Sequence, residues 1–191
     1  MKLIVISGGI GSGKSVVSHI LSSMGMQVYD CDARAKQLMD ADIKIIEAIA
    51  RDISSEAITP QLTIDRNKLA SVVFSDSNAL QRLNTLVHAS VRDDIRRWIS
   101  TLKCPVAWIE TAIAHESGII DMVDEEWHVT APDEIRIQRV MRRNNISRQQ
   151  VLERINAQQN TLHTNAGKPI RLIVNDDIQP VLPQIISLLR L

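Results

Sequence analysis

The sequence predicts an α/β fold, a five-stranded parallel sheet flanked by helices, with a helical insertion and a helical, arginine-bearing segment. Three observations carry this. The first thirty residues read strand, glycine loop, helix, strand. Strand-like and helix-like stretches alternate again from residue 103 to the end. Between them, residues 41–102 carry apolar residues at helical spacing and no strand-like run. A β-α-β order implies parallel strands joined by right-handed crossovers. The core is therefore assigned to 1–40 and 103–191, and the helical region to 41–102.

Each element has a local reason. "LIVIS" is short, continuous and β-branched, as a strand buried on both faces requires. Val16, Val17, Ile20, Leu21 and Met24 then repeat at helical spacing, and Gly25 supplies a stop. "MQVYD" is the second strand. "DIKIIEAIARDI" and the long segment from Asp76 to Leu102 are amphipathic helices, separated by the loop-like "ITPQLTID". Asp65 is placed to cap a helix running through Phe74. "CPVAWIE" and "WHVTAP" are the third and fourth strands, and Pro132 opens a helix to about Arg143. Ser147 and Gln150 form a capping box for the next helix. "IRLIVND" is the fifth strand, and "VLPQIISLLRL" closes the chain as a helix.

The 191 residues include 22 basic and 22 acidic side chains, so net charge offers no bulk attraction to nucleic acid or acidic membranes. Cys31 and Cys104 are too few for a disulfide framework and lack metal-ligand spacing. A reducing cytoplasm is expected. No stretch reaches membrane length without charges.

"GGIGSGKS", residues 8–15, satisfies G-x-x-x-x-G-K-[ST] between a strand and a helix. This makes the sheet of the P-loop NTPase type. Glycines let backbone N–H groups close around phosphate oxygens. The helix after them adds its positive end. Lys14 reaches the β- and γ-phosphates, and the Ser15 hydroxyl suits Mg²⁺. Motors, GTPases and small-molecule kinases all share such a loop.

Other polar residues narrow the choice. Asp30 and Asp32 end the second strand in "YDCDARA", where ligands of an open parallel sheet bind. A carboxylate at Asp32 could take the proton of an attacking hydroxyl, help to hold Mg²⁺, or simply cap the next helix. Glu110 ends the third strand and has the same two readings, metal or cap. Arg136, Arg139, Arg142, Arg143, Arg148 and Arg154 crowd a helix–turn–helix stretch at 136–160. They form either a lid over phosphate or a solvated basic face.

Taken together, "SGGIGSGKS", "DCDARA", "DRNKLASVVFSD", "LNTLVH", "VTAPDEIRIQRVMRRNNIS" and "RINAQ" resemble the dephospho-CoA kinase family, in family order and over nearly the whole chain. The resemblance implies ATP-dependent phosphorylation of the ribose 3′-hydroxyl of dephospho-CoA, with Mg²⁺, by a monomer or weak homo-oligomer. It implies that Asp32 is the base, acting with Lys14, and that Gly9, Gly11, Ser12, Gly13, Lys14, Ser15 and Val16 line the ATP phosphates. Arg139 and Arg143 become lid arginines on the phosphates, and Asn175 lies near the adenine. The helical region becomes the substrate-binding side, with Asp32, His88 and Arg92 as candidates. Ser15 and Glu110 become the metal candidates. Three departures stand out. Val16 replaces threonine, Ala89 replaces proline after His88, and "IETAIAHES" replaces D-x-P-L-L-F-E. The rival readings are another P-loop kinase of a nucleoside, nucleotide or small alcohol, and a nucleotide-dependent switch. No N-K-x-D guanine motif is present.

Overall fold

The computed structural model describes residues 1–159 and 167–190. The end of the predicted arginine segment at residue 160 and the final Leu191 lie outside them. The chain forms two compact units, Met1–Asp30 with Lys103–Leu191, and Cys31–Leu102.

The first unit is built on β1 (Lys2–Ser7), β2 (Val28–Asp30), β3 (Val106–Glu110), β4 (Glu125–Thr130) and β5 (Ile170–Val174). Their order is β2-β3-β1-β4-β5, and every pairing is parallel. β1 therefore sits in the middle; the chain leaves it toward the β2 edge and leaves its neighbour β4 toward the β5 edge. The carboxyl end of β1 is the switch point at which such sheets bind ligands. Burial follows from the position: Val5 and Ile6 are fully buried. Helix α1 (Lys14–Ser23) buries Val17 and Leu21 against the sheet, and the closing helix, which follows β5, adds Ile185 to the same core. Trp108 and Trp127 meet edge to face there, with ring centroids 6.0 Å apart.

β4 begins two residues before the expected Trp127. Glu125 and Glu126 look like loop residues by composition, yet both are buried. Lys2 Nζ donates to Glu125 at 2.6 Å, and Trp127 Nε1 donates to it at 2.8 Å. Partners from β1 and β4 thus let the strand start on charged residues.

The second unit holds α2 (Cys31–Ala41), α3 (Ile43–Asp52), α4 (Arg66–Ser75) and α5 (Ser77–Thr101). Asp42, Asp65 and Asp76 each accept hydrogen bonds from first-turn backbone amides of the helix that follows. Ile45, Ile49, Ala57, Leu69, Val73 and Ala79 form its core. The unit begins at Cys31, whereas the apolar pattern sets the boundary near 40. Leu38 and Met39 of α2 pack on this core, and Arg34 of α2 makes a bidentate pair with buried Asp94 of α5, Nε to Oδ2 at 2.9 Å and Nη2 to Oδ1 at 2.9 Å. A hydrophobic period does not register such a pair.

After β4, α6 (Asp133–Asn144) and α7 (Arg148–Gln159) form an antiparallel pair sealed by Ile137, Val140, Val151 and Ile155. The capping box is present: Ser147 N donates to Gln150 Oε1 at 3.0 Å, and Gln150 N donates to Ser147 Oγ at 3.3 Å. The last helix, α8, spans Val181–Leu189. Among the described residues, no helix is long and apolar enough to cross a membrane.

Candidate active site

The loop between β1 and α1 shows why its glycines are needed. Gly8, Gly11 and Gly13 have φ of 137°, 77° and 97°, values that side chains rarely allow. Space is also short. A Cβ on Gly8 would meet the Val129 carbonyl, one on Gly11 the Arg136 backbone, and one on Gly13 the Asn175 amide. The chain then enters α1 at Lys14, with Gly13 as the N-cap residue. Val16 N donates to Gly13 O at 3.0 Å, and the Val16 side chain is exposed. Lys14 Nζ donates to Gly8 O at 2.8 Å and Gly9 O at 3.4 Å, folded onto its own loop. Ser12 Oγ is buried with no hydrogen-bond partner. A buried hydroxyl without a partner costs free energy. A helix start, an ammonium and glycine backbone around an unmatched donor fit phosphate oxygens.

The helical pair α6–α7 grips the tip of this loop. Arg136 Nε donates to Ile10 O at 3.0 Å, and Ile10 N donates to Gln158 Oε1 at 2.7 Å. The Ile10 side chain packs on the apolar seam of the pair. Arg139 reaches Gly11 O at 3.4 Å and Asn175 Oδ1 at 3.2 Å, and pairs with Asp177. Asn175 Nδ2 donates to Ser12 O at 2.9 Å. Arg139 and Asn175 therefore come to the loop. The exposed Arg143 does not take part in this clamp; its Nε donates to Asn144 Oδ1 at 3.0 Å.

Glu110 ends β3, paired in register with Ile6 of β1. Among the described residues no group of three metal-ligating side chains exists. Mg²⁺ in nucleotide sites keeps waters and phosphate oxygens and needs only one or two protein ligands. The exposed Ser15 hydroxyl in the first turn of α1 and the Glu110 carboxylate are hard oxygen donors of that kind.

In the helical unit, Asp32 is exposed in the first turn of α2, two residues beyond the end of β2. His88 and Arg92 lie one turn apart on α5, both half-buried.

The family model for dephospho-CoA kinase matches residues 2–176. The chain belongs to the dephospho-CoA kinase family. Membership carries the enzyme class, a kinase of coenzyme A synthesis. The chain is 36% identical to a dephospho-CoA kinase of Bacteroides fragilis over 185 residues, covering 96% of this chain and 89% of that protein. It is 33% identical to one of Porphyromonas gingivalis, covering 99% and 93%. A solved structure from Thermus thermophilus superposes with a TM-score of 0.77 at 31% identity, covering 99% and 94% of the two chains. The dephospho-CoA kinase of Campylobacter jejuni shares the fold, with a TM-score of 0.70 at 20% identity, covering 100% and 96%.

Two groups around the loop of this dephospho-CoA kinase family member escape motif reading. Arg136 reads only as one of six crowded arginines and Gln158 only as the end of "RINAQ"; their hold on Ile10 from the helical pair carries no signature in the sequence. The second group is Ser7, Glu126, His128 and His115, which line a cavity of about 170 Å³ together with Gly8 and Gly9. Glu126 is buried. The His128 ring holds its carboxyl below the usual carboxylate range, burial opposes this, and the Ser7 hydroxyl adds to the lowering.

Proposed function

We propose that this chain transfers the γ-phosphoryl group of ATP to the ribose 3′-hydroxyl of dephospho-CoA. The new bond joins O3′ to the γ-phosphorus, the bond from that phosphorus to the bridging oxygen breaks, and ADP leaves. The observation that carries the reading is the clamp on residues 8–15: Arg139 and Asn175 close on Gly11 and Ser12, beside Lys14, in a chain of this family.

Residues 9–16 surround the ATP phosphates with backbone N–H groups and the Lys14 ammonium. Arg139 neutralises charge that spreads over the transferring group, and Arg143 joins it from the next turn of α6. Asn175 orders the loop on the nucleotide side. Ser15 and Glu110 hold Mg²⁺. When bound, the ion screens the phosphate charges and withdraws electrons from the leaving oxygen. His88 and Arg92 bind the acceptor. Asp32 orients its 3′-hydroxyl and takes the proton on its carboxylate. The helical pair excludes water, which would otherwise compete as acceptor. We place this chemistry in the cytoplasm, where the free thiols Cys31 and Cys104 stay reduced, and in a monomer or weak homo-oligomer.

The test is ADP release from ATP·Mg²⁺ with and without dephospho-CoA, with AMP and uridine as control acceptors. Release that requires dephospho-CoA, with coenzyme A formed in equal amount, is expected. Release with AMP or uridine instead would move the substrate assignment. Slow release without any acceptor would favour a nucleotide switch.

A further inference from the structure

Ser7 is the last residue of β1 and lies in register with His128 of β4. Glu126 and His128 are two apart on that strand, so both project to one face. Ser7 Oγ donates to Glu126 Oε1. His128 Nδ1 lies 2.9 Å from the same Ser7 oxygen. A hydroxyl carries one proton, already given to the carboxylate, so His128 Nδ1 must be the donor. The chain of donation runs from His128 through Ser7 to Glu126. His115 Nε2 stands 3.7 Å from the other carboxylate oxygen. Glu126 is 5% exposed and Ser7 is 5% exposed. One residue after Ser7, the backbone turns at Gly8, where a Cβ would meet the carbonyl of Val129, also on β4.

A charged side chain is costly to bury, and apolar residues would fill this space at lower cost. Its partners all converge on the residue from which the phosphate loop departs. We propose that Glu126 and His128 are positioning residues that hold the start of the phosphate loop through Ser7 and thereby set its affinity for the phosphates of ATP. The inference rests on the loop's ATP role in the proposed function and not on the acceptor.

Calorimetric titration with ATP·Mg²⁺, without acceptor, tests it on Ser7→Ala, His128→Ala, Glu126→Ala, Glu126→Gln and the double variant Ser7→Ala/Glu126→Ala. Each alanine variant is expected to bind ATP·Mg²⁺ about tenfold more weakly, as loss of one charge-assisted hydrogen bond implies. Glu126→Gln keeps an acceptor for the Ser7 proton and is expected to recover part of the loss. Because the residues act as one chain, the double variant should lose no more than either single one. The KM for ATP should rise while that for dephospho-CoA stays, whereas a general loss of folded protein would lower the turnover and the binding stoichiometry and move neither KM. Ser7→Ala and His128→Ala proteins that are folded by circular dichroism and bind ATP·Mg²⁺ as the parent does would overturn the proposal. So would losses that add in the double variant. If Glu126→Ala does not fold, the other two single variants carry the comparison. Parent protein that binds ATP·Mg²⁺ but shows no dephospho-CoA-dependent turnover would sink the acceptor assignment and leave this inference to its own readout.

Discussion

At the scale of single residues, the site is a set of polar groups held by backbone geometry. Asp32 stands exposed in the first turn of α2. Replacing it with alanine removes the proposed base but no loop contact. Turnover is expected to fall about 10²–10⁴-fold, with ATP·Mg²⁺ affinity kept, as single-turnover assays and calorimetry would show. Lys14→Ala should weaken both binding and turnover, because its ammonium sits on the loop itself. Gly13→Ala meets two obstacles, a φ of 97° and the Asn175 amide. Strain of about 1–3 kcal/mol is expected, read as a lower unfolding midpoint together with lost ATP binding. Lys14, Ser15 and the glycines were legible because their spacing is local. The contacts of Arg136, Gln158, Ser7 and Glu126 were not, since their partners lie more than a hundred residues away in the chain.

Among elements, the helices were read most faithfully, because caps act within one turn. Asp65 accepts from Asn67 N and Lys68 N at 3.1 Å, as its place before α4 implied. Asp65→Ala should cost about 1 kcal/mol, visible as a lower melting temperature. The β4 boundary was missed for the opposite reason. Its first two residues are strand only because β1 and β5 lie on either side. The α6–α7 pair is an element with one apolar seam that includes Ile10 of the phosphate loop. Arg136→Ala would remove the guanidinium that spans Asp133 and Ile10. The KM for ATP should rise while that for dephospho-CoA stays put, as steady-state kinetics with each substrate varied would reveal.

For the whole molecule, the parallel sheet was legible from the β-α-β opening, whereas the place of β1 at its centre was not, because a crossover fixes strand direction and not which strands become neighbours. The compact helical unit begins at Cys31 rather than near 40: Leu38 and Met39 of α2 pack on its core, and Arg34 pairs with Asp94 of α5. Acid should act on the core. Burial raises the Glu125 pKa, but Lys2, Trp127 and Arg171 outweigh it, and His128 leads the lowering of Glu126. Both carboxyls therefore titrate below their ordinary 4.5 when folded. Their stabilisation is complete above that pH and is lost as pH falls through the lowered folded values. Melting temperature should drop steeply in this acid range, and less steeply in Glu126→Gln. The tryptophan distribution has an optical consequence. Trp108 and Trp127 form their edge-to-face pair in the sheet core, while Trp98 is half-buried on α5 of the helical unit. With three indoles in the chain, Trp98→Phe leaves emission from the sheet unit alone. The difference spectrum then belongs to the helical unit, so melting of each half and the response to each ligand become two separable fluorescence signals.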